Sequence, residues 1–197
     1  MVGDRGGKKW VGKKNVVFGL LFLVVTAGLG PVMVFKYEDW GVANGEKQQV
    51  VGRLQSLKAG DYAEDPDTLD ELTPKQLAKA NSEAILAINK VGAIEFGIDY
   101  IKGGPHAHGN LESLLNIAVG IVLCFVAAPV MLKQAVSWMF IIGTLMHSGL
   151  LIFERVFMMP WSSTLLGTGI GPVLILLGLL LAGVLAAKGF QGEPVSD

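Results

Sequence analysis

A chain of 197 residues that is 51% hydrophobic and only 17% charged, with a mean hydropathy of +0.51, is too poor in charge for an ordinary soluble domain, where about a quarter of residues are charged. Its net charge of -1 excludes the global positive field that draws a protein to nucleic acid. A single cysteine, Cys124 in an apolar run, excludes an intrachain disulfide and a Cys-based zinc site and reads as a small packing residue.

Residues 1–15 carry Arg5, Lys8, Lys9, Lys13 and Lys14 against one acid, Asp4. The apolar run 16–35 follows, about the ~20 residues needed to cross ~30 Å of hydrocarbon. Secretory h-regions are usually about 7–15 residues, so this run reads as an uncleaved first transmembrane helix. Gly28, Gly30 and Pro31 loosen its far end. By the positive-inside rule, the basic flank places the N-terminus in the cytoplasm.

Residues 36–110 then form an extracytoplasmic insert, acidic on balance. Two amphipathic helices are expected in it. The first runs from about Gly45 to Lys58, with Val50, Val51, Leu54 and Leu57 on one stripe. The second is announced by Thr73 as cap, Pro74 at the first helical position and Gln76 completing a capping box, and it continues to about Lys90. Between them Asp61, Glu64, Asp65, Asp67, Asp70 and Glu71 read as a solvated loop without regular calcium-ligand spacing. So few large apolar residues predict an insert that packs on the membrane part.

The second span is expected at 111–132. Pro105 and Asn110 are both possible helix starts, and Asn110 is favoured because Gly103, Gly104 and Gly109 weaken an earlier one and Glu112 suits the first turn. A tight turn at Lys133-Gln134 leads into the third span, 135–157, which ends before Pro160 and the interfacial Trp161. The fourth is 164–187, with Lys188 opening a cytoplasmic tail, 188–197. Gly167/Gly171 and Gly178/Ala182/Ala186 are small-xxx-small spacings. The fold expected is all-α: an integral membrane four-helix bundle, with the helical insert between helices 1 and 2 and both termini cytoplasmic, in a bacterial inner or plasma membrane.

Counted from a turn at Lys133-Gln134, Glu112 and Glu154 share a layer ~30–33 Å up, beside Arg155 and just below His106 and His108. These two histidines and two carboxylates are the candidate metal ligands, a donor set suited to zinc, copper(II) or iron(II). From an extended entry segment both imidazoles share a side; from a helix they diverge by ~200°. His147 falls ~20 Å up, in mid-bilayer, as a candidate haem ligand, quinone contact or proton relay, or as a hydrogen-bond partner of Asn116, Thr144 or Ser148. The same count puts it ten or more ångströms (~1.5 Å per residue) below the histidine pair, so one metal would not join His147 to His108.

The stretch His106-Ala107-His108-Gly109-Asn110-Leu111, opening an apolar helix that continues Leu114-Leu115-Asn116-Ile117-Ala118-Val119-Gly120, resembles a loose group of small four- or five-span membrane proteins. These are distantly related to the main subunit of haem–copper oxidases and nitric oxide reductases, and in them a His-x-His stretch opens a span. The resemblance covers residues 104–121. It implies a haem- or metal-linked respiratory setting with His106 or His108 as ligand. This chain departs from an oxidase core in lacking several mid-membrane histidines and in carrying the acidic insert.

The function expected is a small subunit or accessory protein of a membrane redox complex. It would hold haem b or a transition metal (copper, iron or zinc) at the outer face, through His106, His108 and His147 for haem or the His/Glu set for a metal. Its partners would be the lipid bilayer and other membrane subunits. The alternative is a structural subunit without cofactor that packs by its glycine-rich helices. No nucleophile–base set points to catalysis by this chain alone, and no repeated polar lining points to a transporter.

Overall fold

The structure, a computed structural model, describes residues 10–197; Arg5, Lys8 and Lys9 of the expected cytoplasmic leader lie outside the described residues. In chain order the helices are α1 (Lys13–Ala27), α2 (Leu29–Ala59), α3 (Pro74–Ile101), α4 (Ala107–Phe125), α5 (Val130–Thr144), α6 (Leu150–Arg155), α7 (Pro160–Leu166) and α8 (Ile170–Gly189). A kinked segment, Lys102–His106, joins α3 to α4, and a single π-helical turn, Leu145–Gly149, carries α5 into α6. The described residues are therefore all-helical apart from loops. Four helical stretches, Lys13–Ala59, Pro74–Phe125, Val130–Arg155 and Ile170–Gly189, are long and apolar enough to cross a membrane. Two compact units are present: Pro31–Tyr100, and the chain up to Gly30 with Ile101–Asp197.

In the latter unit, α1 packs antiparallel on α4, α4 on α5, and α5 on α8. Small residues allow the close approach. A Cβ on Gly19 would lie 2.6 Å from the Ser113 carbonyl oxygen, and one on Gly120 would lie 2.8 Å from Val16 Cγ2. On the α5–α8 side, a Cβ on Gly143 would meet Ile175 Cγ1 at 2.7 Å, and one on Gly178 would meet Phe140 at 3.0 Å. Gly171, Gly178 and Gly189 of α8 are thus spent on contact within the chain, while Gly183 faces open space. Outside, Leu21, Val24, Leu114, Leu176 and Leu180 are exposed. Inside, Asn15, Ser113, Asn116, Ser137 and Thr144 are fully buried. Apolar outside and polar inside is the distribution of helices in contact with lipid.

The hairpin turn between the second and third spans lies at 126–129, not at Lys133-Gln134. Pro129 precedes α5 in extended conformation, as a residue that cannot continue a helix must, and the Ala127 amide donates to the Gly189 carbonyl at 2.8 Å. Lys133 is consequently inside the first turns of α5. Its side chain is 1% exposed and its amine is paired with the Asp197 carboxylate, since a buried charge needs a partner. The fourth apolar segment is also broken. Gly169, at φ 68°, separates α7 from α8, in a left-handed conformation that glycine adopts without strain.

The second unit is a helical hairpin of its own. Trp40 donates to Glu95 at 2.9 Å and Lys90 to Glu46 at 2.6 Å, so α2 and α3 run antiparallel. Helix α2 extends unbroken on both sides of the 45–58 stretch expected for it, and α3 runs well past Lys90. The capping box forms: the Thr73 amide donates to Gln76 Oε1 at 2.9 Å and the Gln76 amide to Thr73 Oγ1 at 3.3 Å. Asp65 is not a solvated loop residue. It is buried, accepts from the Asp67 amide at 3.0 Å and from Arg53 at 2.7 Å. The Asp67 amide, with Arg53 beside it, holds its carboxyl below the usual carboxylate range.

Candidate metal centre

The site follows from where the hairpin turns. Seventeen residues separate His108 from Phe125, the end of α4, and seventeen separate Val130, the start of α5, from His147. At ~1.5 Å per residue both histidines stand ~25 Å from the turn. They are level, and the expectation that His147 sits far below His108 is overturned. Their rings lie 5.0 Å apart, centre to centre, at an interplanar angle of 65°. Glu154 moves the other way. It is twenty-four residues past the start of α5 while Glu112 is thirteen before the end of α4. The two acids are therefore offset by roughly 16 Å in depth rather than sharing a layer.

Of the two expected helix starts Pro105 is the one found, since α3 and α4 meet at a kink and Pro105 is the first residue beyond it; Asn110 does not open the helix. The kink falls at Gly104, which leaves helical geometry (φ -103°, ψ -107°). A Cβ there would meet Arg155 Cδ at 2.8 Å, so glycine also makes room for that side chain. Asn110 is not a cap; its Oδ1 accepts from Thr26 Oγ1 at 2.7 Å.

On a helix His106 and His108 diverge. His106 Nδ1 sits 2.9 Å from the Thr26 carbonyl oxygen, on the α1 side. His108 turns toward α5, and Glu112, four residues on, shares its face.

A wide turn places the rest. Neighbours on an α-helix point ~100° apart, yet His147 and Ser148 both reach one carboxylate. His147 Nδ1 lies 2.5 Å from Glu112 Oε1, and Ser148 Oγ donates to Glu112 Oε2 at 2.7 Å. The π turn Leu145–Gly149 brings both to the same side, and such turns recur at functional sites. Helix α8 backs it closely: a Cβ on Gly171 would lie 2.7 Å from the His147 amide nitrogen.

Below the cluster the polar ladder continues. Asn116 donates to Thr144 Oγ1 at 2.9 Å and to the Glu112 carbonyl at 3.0 Å, and Asn15 donates to Asn116 Oδ1 at 3.1 Å. Ser137 completes it through Asn15.

The structure thus gathers His108, Glu112 and His147, which each present one ligand atom within 4.8 Å of the others. It does not gather His106 or Glu154, the latter 3.6 Å from Arg155. Ser148, Asn116 and Thr144 do not partner His147; they hold Glu112 and each other. Only the i, i+4 spacing of His108 and Glu112 foreshadowed the cluster in sequence.

Two imidazoles on adjacent positions of one ion, each nitrogen about 2.1 Å from it, lie roughly 4.6–5.2 Å apart centre to centre. Opposed across a haem iron, they would lie roughly 6.4 Å apart by the same bond lengths. The observed 5.0 Å fits the former. No family model, curated protein or solved structure matches this chain.

Proposed function

We propose that the chain is a four-helix integral membrane protein that holds one divalent transition-metal ion through His108, Glu112 and His147, and that it serves as a small subunit or accessory of a membrane redox complex. The observation that supports this reading is the convergence of two imidazoles and a buried carboxylate between apolar spans, where ionisable groups are costly and mark function by default. Two histidines with one carboxylate suit iron(II), zinc or copper(II), and such a set leaves coordination positions open. His108 is exposed at the helix surface while Glu112 is buried, so the open side faces outward from the helix pair.

The ion would replace the proton now held between His147 Nδ1 and Glu112 Oε1, as metal binding displaces protons from its ligands. Ser148 would keep the second carboxylate oxygen oriented. The ring spacing favours a mononuclear ion over haem b between these two histidines. Lys14 and Gln134 meet at the turn end of the unit, with Lys133 and Lys188 in the same end turns. By the positive-inside rule this end is cytoplasmic and the cluster lies toward the outer face. The α2–α3 hairpin would then be the extracytoplasmic insert.

A second reading has its own support: Glu112 already has two hydrogen-bond partners without an ion, as a purely structural staple would. Metal analysis separates the two. Detergent-purified chain loaded with iron(II), zinc or copper(II) and desalted should retain about one ion per chain. His108→Ala and His147→Ala should each lose it, and His106→Ala and Glu154→Gln should keep it. Protein that retains no ion of the three leaves the staple.

A further inference from the structure

At the turn end of the same unit, α1 and α5 leave between them an apolar groove of about 760 Å³, walled by Val17, Leu21 and Ile141. A second groove, about 550 Å³, runs down the other side of α1 past Ile121 and Phe125. Trp10 and Lys13 line both. At the mouth of the first, Lys14 Nζ lies 4.2 Å from the Trp138 ring centre and 2.5 Å from Gln134 Oε1. The acid lining this groove, Asp197, is already occupied by the Lys133 amine and the Val11 amide. The first groove is therefore lined by two lysines and two tryptophans, with Lys13 and Trp10 shared by the second.

We propose that this end of α1 is a binding site for one anionic diacyl phospholipid, with the headgroup phosphate on Lys13 and Lys14 and one acyl chain in each groove. Each half of the site matches one half of that ligand. Basic pockets at the cytoplasmic ends of transmembrane helices capture anionic headgroups, and indoles at both sides fit the interfacial layer where headgroups begin. A zwitterionic lipid would bring its own cation against the two lysines. A partner helix would fill the clefts without needing either charge. The assignment rests on the membrane placement and orientation proposed above but on none of the three metal ligands, so it stands or falls apart from the metal centre.

The test uses the full chain with Trp40→Phe and Trp161→Phe, leaving Trp10 and Trp138 as reporters, in phosphatidylcholine vesicles. Brominated phosphatidylglycerol and brominated phosphatidylcholine are compared as quenchers at equal mole fraction. Phosphatidylglycerol should reach half-maximal quenching at an at least fivefold lower mole fraction, about the worth of one lysine near an anionic surface. Lys13→Gln/Lys14→Gln should erase that preference, and ~1 M salt should erase it in the unsubstituted lysine background, where folding is not in question. Equal quenching by the two lipids, a preference that survives salt or the double substitution, or relief of quenching by soluble glycerol phosphate would each overturn the proposal.

Discussion

In the unit built from α1 and α4–α8, Asn15, Asn116, Ser137 and Thr144 are fully enclosed while leucines and valines face out. In the α2–α3 hairpin, Ala43, Leu57, Ala84 and Ile98 are enclosed, and the Lys90–Glu46 pair is exposed. The first thus adds a buried polar ladder to an apolar core that includes Val119, Leu123 and Phe140, whereas the hairpin's enclosed side chains are apolar apart from Asp65. Against hydrocarbon, an outward leucine loses nothing, so helices are held by close glycine contacts and interior hydrogen bonds. Against water, the apolar stripe must turn inward and surface ion pairs add little. The hairpin also leaves Phe35, Leu86 and Phe96 exposed.

That contrast can be broken most severely at Glu112. Glu112→Ala leaves His147 and Ser148 without their acceptor and should cost about 3 kcal/mol, the upper end for buried donors left unsatisfied; thermal unfolding in detergent checks it. Asp197→Ala strands the Lys133 ammonium and should cost about 3 kcal/mol, as loss of one member of a buried pair does, with rescue by Lys133→Met as the sign that an uncompensated charge was the cause. Asn116→Leu removes the junction of the interior ladder and should cost roughly 1.5 kcal/mol, the upper end for hydrogen bonds between membrane helices. A stabilised variant would mean that the polar interior is no source of cohesion.

The smallest effect belongs to the hairpin. The Asp65 carboxyl is held below the usual range by the Asp67 amide and Arg53. Its stabilising contribution is therefore present above the ordinary aspartate pKa and is lost as pH falls through the lower folded value. An NMR titration of the Asp67 amide should show its midpoint below about 3.9, the ordinary aspartate value, and Arg53→Ala should move it upward. A midpoint at or above that value would break the account.

Much of this architecture was legible in the chain, and its gaps have physical causes. Four apolar stretches and the Thr73–Gln76 capping box rest on local patterns, and both are found. The turn was misplaced because Lys133 looks like a surface marker until Asp197, sixty-four residues away, is known to meet it. Pro129 was the better local signal, since helix cannot run through it unchanged.

Between the two starts the sequence offers, the glycines favour Asn110, yet the break they make falls at Gly104 and leaves Pro105 to begin the helix. An Asn110 start hides the face that His108 and Glu112 share. The α1–α4 seam was readable but passed over: Gly12, Gly19 and Thr26 recur every seven residues, opposite Gly109, Ser113, Asn116 and Gly120.

The π turn Leu145–Gly149 carries a consequence for how such a protein can change. It holds one residue more than an ordinary helical turn, and deleting it would rotate everything on one side by ~100° about the axis. A descendant that lost Leu145 would keep His147, Glu112 and His108 by identity, yet turn the imidazole away from the carboxylate. The cluster is guarded by spacing as much as by residue type, and a one-codon deletion would scatter it where many substitutions would not.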